Sequence, residues 1–167
     1  MRELATGSER HFTYPPDGAA ICFFPVVHKI SWAPDSRHLA FSRDDSGGDI
    51  FILDTTSAST LADVTSLNPG PDYGYASPTW LPDGRIAVHK FGTDDAQLVA
   101  VDPSTKAETE LAPSLHQVAG AEADPSGHHL LVITFREGDE DNPFPTYRVS
   151  DGGQPVLVPG SYNAVDW

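Results

Sequence analysis

One short motif recurs along the chain at a nearly constant interval. Trp32-Ala-Pro-Asp-Ser is followed 48 residues later by Trp80-Leu-Pro-Asp-Gly and, after another 43 residues, by the degenerate copy Ala123-Asp-Pro-Ser-Gly. A fourth anchor, Trp167, lies 44 residues further on. A self-similar period of this length is typical of propellers and solenoids, in which each repeat buries its apolar face against its neighbours. The repeat therefore constrains the architecture more than any single residue does.

Each copy of the motif is followed by three short segments with the composition of β-strands. These segments have 4–6 residues, are rich in β-branched or aromatic types, and are bounded by Gly, Pro, Asp or Ser. Together with the strand that leads into the anchor they make four strands per repeat, as in one propeller blade. We therefore predict an all-β fold, a β-propeller of four-stranded antiparallel blades, with blades over 26–66, 74–113 and 116–159.

The two ends of the sequence match parts of a further blade. Residues 1–25 read as a partial blade, with His11–Tyr14 as a third strand and Ala20–Phe23 as a fourth, and residues 161–167 read as a first strand. The phase predicts three full blades plus one blade shared or split between the termini. Three arrangements fit this phase: a closed ring of four blades, a piece of a longer propeller, and an open arc that a second copy completes.

The aspartates of the repeated motif have a structural explanation. Residues 34–36 and 82–84 have the composition of tight turns, because Pro fixes φ and the residues after it tolerate positive φ. Asp35 and Asp83 are therefore predicted to cap these turns through Asx-type hydrogen bonds rather than to act as catalysts.

These motifs resemble a known repeat. Trp-Ala-Pro-Asp-Ser, Leu-Ala-Phe and Asp-Ile-Phe-Ile-Leu-Asp, within residues 32–54, are similar to the Pro-Asp variant of the WD-like repeat. That variant occurs in TolB-like propellers and in the propeller caps of prolyl-oligopeptidase-type serine peptidases. The resemblance covers residues 26–167 and is weakest in the third copy, where Ala123 replaces Trp and Ser126 replaces Asp. It implies a propeller fold but little about function, since propellers are platforms for many activities.

Charge and composition limit the classes of partner that this chain can bind. The formal net charge is −14, so nucleic-acid backbones and anionic membrane surfaces are repelled. The single cysteine, Cys22, lies in an apolar run, so neither an intramolecular disulfide nor a thiolate metal site is expected. No segment has the pattern of a membrane span or of a signal peptide. As given, the sequence predicts a cytoplasmic protein, or a periplasmic or extracellular one if a leader precedes it.

The sequence lacks the usual motifs for catalysis and for metal or cofactor binding. It contains no Gly-x-Ser-x-Gly elbow, no glycine-rich phosphate loop and no His-x-x-x-His pair. Acidic residues concentrate in the loops between second and third strands, where we expect solvated charge. Residues 44–49 are loosely calcium-like but lack the ordered oxygen spacing of a calcium loop. We therefore expect no catalytic residue, no metal and no cofactor.

Aromatic residues just before the anchors indicate where a partner binds. Tyr75 and Tyr162 both lie five residues before an anchor, and Tyr73 and His116 both lie seven residues before theirs. First strands are innermost in a blade, so these side chains should border the mouth of the central channel on the face of the inter-blade loops. Tyrosine suits recognition because it offers contact area and a hydrogen bond at low entropic cost.

The sequence therefore favours a non-catalytic module that binds a protein or peptide partner through these four residues on the inter-blade-loop face. The alternative is the propeller cap of a prolyl-oligopeptidase-type serine peptidase whose catalytic domain lies outside this sequence. No nucleic-acid partner and no membrane insertion are expected. If the chain does not close into a ring of four blades, a second copy or the rest of a longer chain is expected to complete the propeller.

Overall fold

The computed structural model describes residues 9–12, 27–43, 48–60, 63–68, 70–92, 96–124, 126–138, 144–150 and 153–159. Within these ranges the chain forms three separate four-stranded antiparallel sheets. The all-β prediction with four-stranded antiparallel blades is thereby confirmed. The strand expected at Ala20–Phe23 and the one expected over 161–167 lie outside the described residues, as do most of the residues expected to complete the partial blade.

Each sheet is one blade whose strands are paired in chain order. Blade 1 contains β1 (Val27–Trp32), β2 (His38–Arg43), β3 (Ile50–Asp54) and β4 (Val64–Leu67). Blade 2 contains β5 (Tyr73–Trp80), β6 (Ile86–Gly92), β7 (Gln97–Val101) and β8 (Glu108–Glu110). Blade 3 contains β9 (Val118–Ala123), β10 (His129–Thr134), β11 (Thr146–Ser150) and β12 (Val156–Val158). The first strand of blade 2, β5, contacts the first strands of both other blades, β1 and β9, so the first strands are the innermost.

The core lies between the blades, because alternate residues of a strand face opposite sides of its sheet. In β2, Leu39 and Phe41 belong to a cluster on one side of blade 1, with Phe12, whereas Ala40 belongs to the cluster between blades 1 and 2. A third cluster fills the space between blades 2 and 3. The middle cluster includes Ile50, Leu67, Ile86, Val88 and Val101, and the third includes Leu81, Leu98, Val118, Leu130 and Val132.

The repeated turns form as the sequence predicts. Asp35 Oδ1 accepts hydrogen bonds from the backbone N–H groups of Arg37 and His38, at 2.8 and 3.0 Å, and Asp83 caps the equivalent turn. Ser36 and Gly84 have positive φ values of 56° and 86° at matching positions of the two turns. Asx-type capping is thus the structural role of these aspartates.

Each innermost strand carries a β-bulge before its anchor. The strand register shifts at Lys29 in β1, at Ser77 and Pro78 in β5, and at Ala119 in β9. Lys29 and Ser77 both lie three residues before an anchor Trp, and both have positive φ, 37° and 52°. A bulge bends its strand and increases the local twist, so it sets the direction in which the strand end leaves the sheet.

Among the described residues, no helix has the length and apolarity needed to cross a membrane.

Candidate binding surfaces

The turns of the repeat lie together at one end of the blades, which we call the turn face. It includes the turns after the first strands, around Pro34, Pro82 and Gly127, and the turns after the third strands at 55–60 and 102–107. Three cavities open on this face, two between blades and one where the innermost strands converge. These three cavities have volumes of about 300 Å³ or more, whereas a cavity of about 150 Å³ lies beside Tyr75 and Glu108.

The first cavity, which we call the acidic groove, lies between blades 1 and 2 and has a volume of about 760 Å³. Its lining includes the apolar side chains of Ala33, Ile52 and Trp80, together with the prolines of the neighbouring turns. Carboxylates stand around this lining. The four that line the groove are Asp35, Asp54, Asp63 and Asp83.

All four carboxylates of the acidic groove have pKa values below their usual range, so they are ionised at neutral pH. The backbone N–H of Arg37 lowers the pKa of Asp35 to about 2, and the side chain of Arg37 is the main cause of the lowered pKa of Asp54. Backbone N–H groups lower the pKa of Asp63, and the side chain of Arg85 lowers that of Asp83.

The arginines neutralise only part of this charge. Arg37 Nε donates to Asp54 at 2.9 Å, and Arg85 Nε donates to Asp83 at 2.8 Å. Asp63 instead accepts hydrogen bonds from the backbone N–H groups of Ser59 and Thr60, at 2.7 and 2.8 Å. Within the described residues, therefore, Asp63 has no lysine or arginine partner, and the groove keeps a net negative charge.

The second cavity, the apolar groove, lies between blades 2 and 3 and has a volume of about 350 Å³. Leu81, Leu111, Leu130 and Val149 form most of its wall. Polar residues also line the groove. The polar residues that line it are Asp83, Arg85, His128 and Ser150.

The third cavity, the axial cavity, has a volume of about 300 Å³ and lies where β1, β5 and β9 end. Trp32 and Trp80 line it together with Glu122, whose carboxylate forms an ion pair with Lys29 from the bulge of β1. Trp80 is held to blade 1 by a 2.9 Å hydrogen bond from its backbone N–H to Ser31 Oγ. Pro82 lines all three cavities, so they form one continuous surface.

Known structures share this arrangement of blades. Over 84% of its length the chain matches the crystal structure of TolB from Acinetobacter baumannii, with a TM-score of 0.60 and 18% sequence identity. The fold is that of a TolB-like β-propeller. The chain spans 34% of the length of that TolB chain, and at this level of identity the likeness concerns the fold alone.

A puromycin hydrolase structure matches the same share of the chain, 84%, over 30% of its own length, with a TM-score of 0.41 and 14% identity. No protein-family model matches the sequence, and no curated protein matches it.

The opposite end of the TolB-like blades carries the tyrosines that the sequence singles out. Tyr75, on β5, is only 3% exposed and belongs to the apolar cluster between blades 1 and 2. Its hydroxyl donates a hydrogen bond to Glu108 Oε1, and Lys90 Nζ lies 2.6 Å from the other oxygen of the same carboxylate. Burial, and then the neighbouring Glu108, raise the pKa of Tyr75 well above its usual value. The expectation that this side chain borders an open channel mouth is corrected: neighbouring blades cover it.

The other three predicted contact residues have different surroundings. Tyr73 is 38% exposed at the start of β5, and Lys90 Nζ lies 4.6 Å from the centre of its ring. His116 is exposed in the connection before β9. Tyr162 lies outside the described residues. The structure therefore brings Tyr73 and Tyr75 to one lysine, and partner binding by these residues stays a prediction.

Sequence reasoning missed Lys90 and Glu108, which complete this polar cluster. Glu108 is 33 residues from Tyr75 and on the outermost strand of the blade, so only the sheet pairing brings the two together.

Most acidic residues of the second-to-third loops lie outside the described residues. The exception in the first loop, Asp49, accepts hydrogen bonds from Ser66 and Asn68. In the described ranges, no group of three or more His, Cys, Asp or Glu side chains is placed to hold a metal ion.

Proposed function

We propose that this TolB-like propeller is a non-catalytic interaction module that binds a positively charged protein segment or peptide on its turn face. The observation that carries the proposal is the acidic groove, a cavity of about 760 Å³ that combines apolar side chains with four ionised carboxylates. Opposite charge at such a surface speeds encounter and selects partners.

The chemistry of the groove suits lysine and arginine side chains. Their aliphatic stems bury apolar area while the charged heads stay near water or a carboxylate. Ile52 and Trp80 offer apolar area for such stems, and Asp63 offers a carboxylate that pairs with no described lysine or arginine. The overall charge of −14 favours the same class of partner at longer range.

The pKa values support a binding role over a catalytic one. A general acid or base works best when its pKa is near the working pH. The carboxylates of the acidic groove have lowered pKa values because turn N–H groups and arginines stabilise their ionised forms. Such carboxylates attract cations but are weak proton acceptors.

The turn face is a better candidate than the inter-blade-loop face expected from the sequence. On the latter face Tyr75 is buried and serves the packing of two blades, which leaves Tyr73 and His116 as its exposed candidates. The two faces can be compared directly by substitution, because they lie at opposite ends of the blades.

The test uses three blocked decapeptides of equal length and equal aliphatic content that are basic, neutral or acidic. Isothermal titration should show binding of the basic peptide only. Asp63→Asn keeps an acceptor for the turn N–H groups but removes the charge, so binding should weaken roughly twofold to fivefold. Glu110→Gln, at an exposed position on β8, is the matched charge control and should leave binding unchanged.

Two outcomes would count against the proposal. The first is equal binding of the basic and acidic peptides. The second is a loss of binding in Tyr73→Ala and His116→Ala together with full binding in Asp63→Asn, since this would place the partner on the inter-blade-loop face.

A further inference from the structure

The apolar groove adjoins the acidic groove and differs from it in chemistry. We propose that it receives one large apolar side chain of the bound peptide, at a position close to the basic residue held by the acidic groove. This inference rests on the proposed function and makes it more specific, because it defines the partner as a peptide with neighbouring basic and apolar residues.

The wall of the apolar groove is firm as well as apolar. Leu81, Leu130 and Val149 are buried members of the cluster between blades 2 and 3, and Leu111 packs against that cluster. Their positions are therefore set by the core. A volume of about 350 Å³ is at the small end of the range of roughly 300–1,000 Å³ that is usual for ligand pockets, so it suits one side chain rather than a large ligand.

A glycine in the third copy of the turn maintains one end of this groove. Gly127 has a φ of 71°, and a Cβ added there would clash with Pro82 Cγ. A larger residue would force the two turns apart. This close approach lies where the groove meets the axial cavity, since Gly127 and Pro82 line both.

The shared residues Pro82 and Asp83 place the two grooves side by side. An extended peptide advances about 3.3 Å per residue, so a few residues are enough to cross from one groove to the other. A polar or acidic side chain that lies against Leu81, Leu111 and Leu130 is disfavoured, because a buried polar group without a partner costs free energy. An aliphatic or aromatic side chain gains free energy from the same burial.

The experiment compares two basic decapeptides that differ at one central residue, Leu or Ala. With the unmodified protein, the Leu peptide should bind roughly fivefold to tenfold more tightly in isothermal titration, as expected for burial of the additional methyl and methylene groups. In His128→Trp, an exposed rim residue is replaced by a side chain that fills the groove. The Leu advantage should then disappear, so that the Leu and Ala peptides bind this variant equally.

A second variant tests the groove in the opposite direction. Leu111→Ala enlarges it, so a Trp peptide should gain affinity relative to the Leu peptide. Ser104→Trp places the same bulk in the lining of the acidic groove and is the control, since it should weaken both peptides and keep the Leu advantage.

The results separate this inference from the proposed function. Equal binding of the Leu and Ala peptides to the unmodified protein, or a Leu advantage that survives in His128→Trp, overturns the inference and leaves the proposed function intact. Failure of every basic peptide to bind overturns both. Thermal unfolding of each variant, matched to the unmodified protein, shows that the differences arise at the groove.

Discussion

Tyr75→Phe removes one hydroxyl from the interface between blades 1 and 2 and leaves the aromatic ring in place. The ring is 3% exposed and stays buried in the variant, so the apolar contribution is unchanged. What is lost is one hydrogen bond from the phenol to the carboxylate of Glu108. We expect a loss of stability without any change of fold.

The size of the loss follows from the surroundings of the carboxylate. A hydrogen bond to a charged group contributes about 1.5–3 kcal/mol to stability. Here the Glu108 side chain is 31% exposed and keeps Lys90 at 2.6 Å, so water and the ammonium group compensate in part. We therefore expect a decrease of about 1 to 1.5 kcal/mol in the free energy of unfolding. Tyr75→Ala also deletes the ring, and should cost about 3–5 kcal/mol because it leaves a cavity.

Urea unfolding followed by circular dichroism measures these differences, provided that the dependence of the free energy on urea is the same in all variants. Tyr73→Phe is the matched control. It also removes a phenol hydroxyl, but from Tyr73, which is 38% exposed. Its effect should stay below about 0.5 kcal/mol. A double-mutant cycle with Glu108→Ala, which removes the acceptor, should give a coupling of about 1 kcal/mol for Tyr75 and none for Tyr73. Equal effects of the two Phe substitutions would refute the assigned role of Tyr75.

Three further predictions concern packing and charge. Gly48→Ala should destabilise the protein by about 1–3 kcal/mol more than Gly70→Ala. Both glycines have positive φ, but of the two only Gly48 has a backbone carbon within 2.6 Å of an added Cβ. Equal losses of stability in chemical denaturation would contradict this. The hydroxyl of Ser104 and adjacent N–H groups lower the pKa of Asp102 to about 2. The stability that Asp102 contributes is thus present above its unfolded pKa and lost as pH falls from about 4 to about 2. The melting temperature of Asp102→Asn should therefore decline less over that range than that of the unmodified protein. An equal decline in both proteins would disprove this role of Asp102. Leu98 is 1% exposed, so Leu98→Ala should lower the free energy of unfolding by about 2–5 kcal/mol. Leu157 is 53% exposed, so Leu157→Ala should lower it by less than about 0.5 kcal/mol. Urea midpoints measure both changes, and similar shifts in the two variants would contradict the prediction.

Local features of this fold can be predicted from the sequence because the interactions that produce them join residues that are close in sequence. The Pro-Asp turns are an example: Asp35 caps its turn through the backbone N–H groups of the second and third residues after it, and the structure shows those hydrogen bonds. The four-strand period is readable for the same reason, since each strand is bounded by its own turn residues. The alternation in β2 also predicts that Leu39 and Ala40 face opposite ways.

The candidate site is less readable because its causes are distant in sequence. The position of Tyr75 relative to the anchor gives its strand, but its burial depends on blade 1 and its hydrogen bond on Glu108, 33 residues later. The grooves of the turn face arise from spaces between blades. No periodicity in the sequence indicates that Pro82 lies on three cavities at once.

The division of the core into three clusters has a consequence for how such chains evolve. Each cluster that joins two blades lies between consecutive ones, and neighbouring residues such as Leu39 and Ala40 belong to different clusters. Because each blade interacts mainly with its nearest neighbours, the stability of such repeats is roughly a sum of local terms. A gene of this kind can gain a blade by duplication of one repeat while the existing interfaces are kept. The copies then diverge at their turns, where the residues that line the grooves are found.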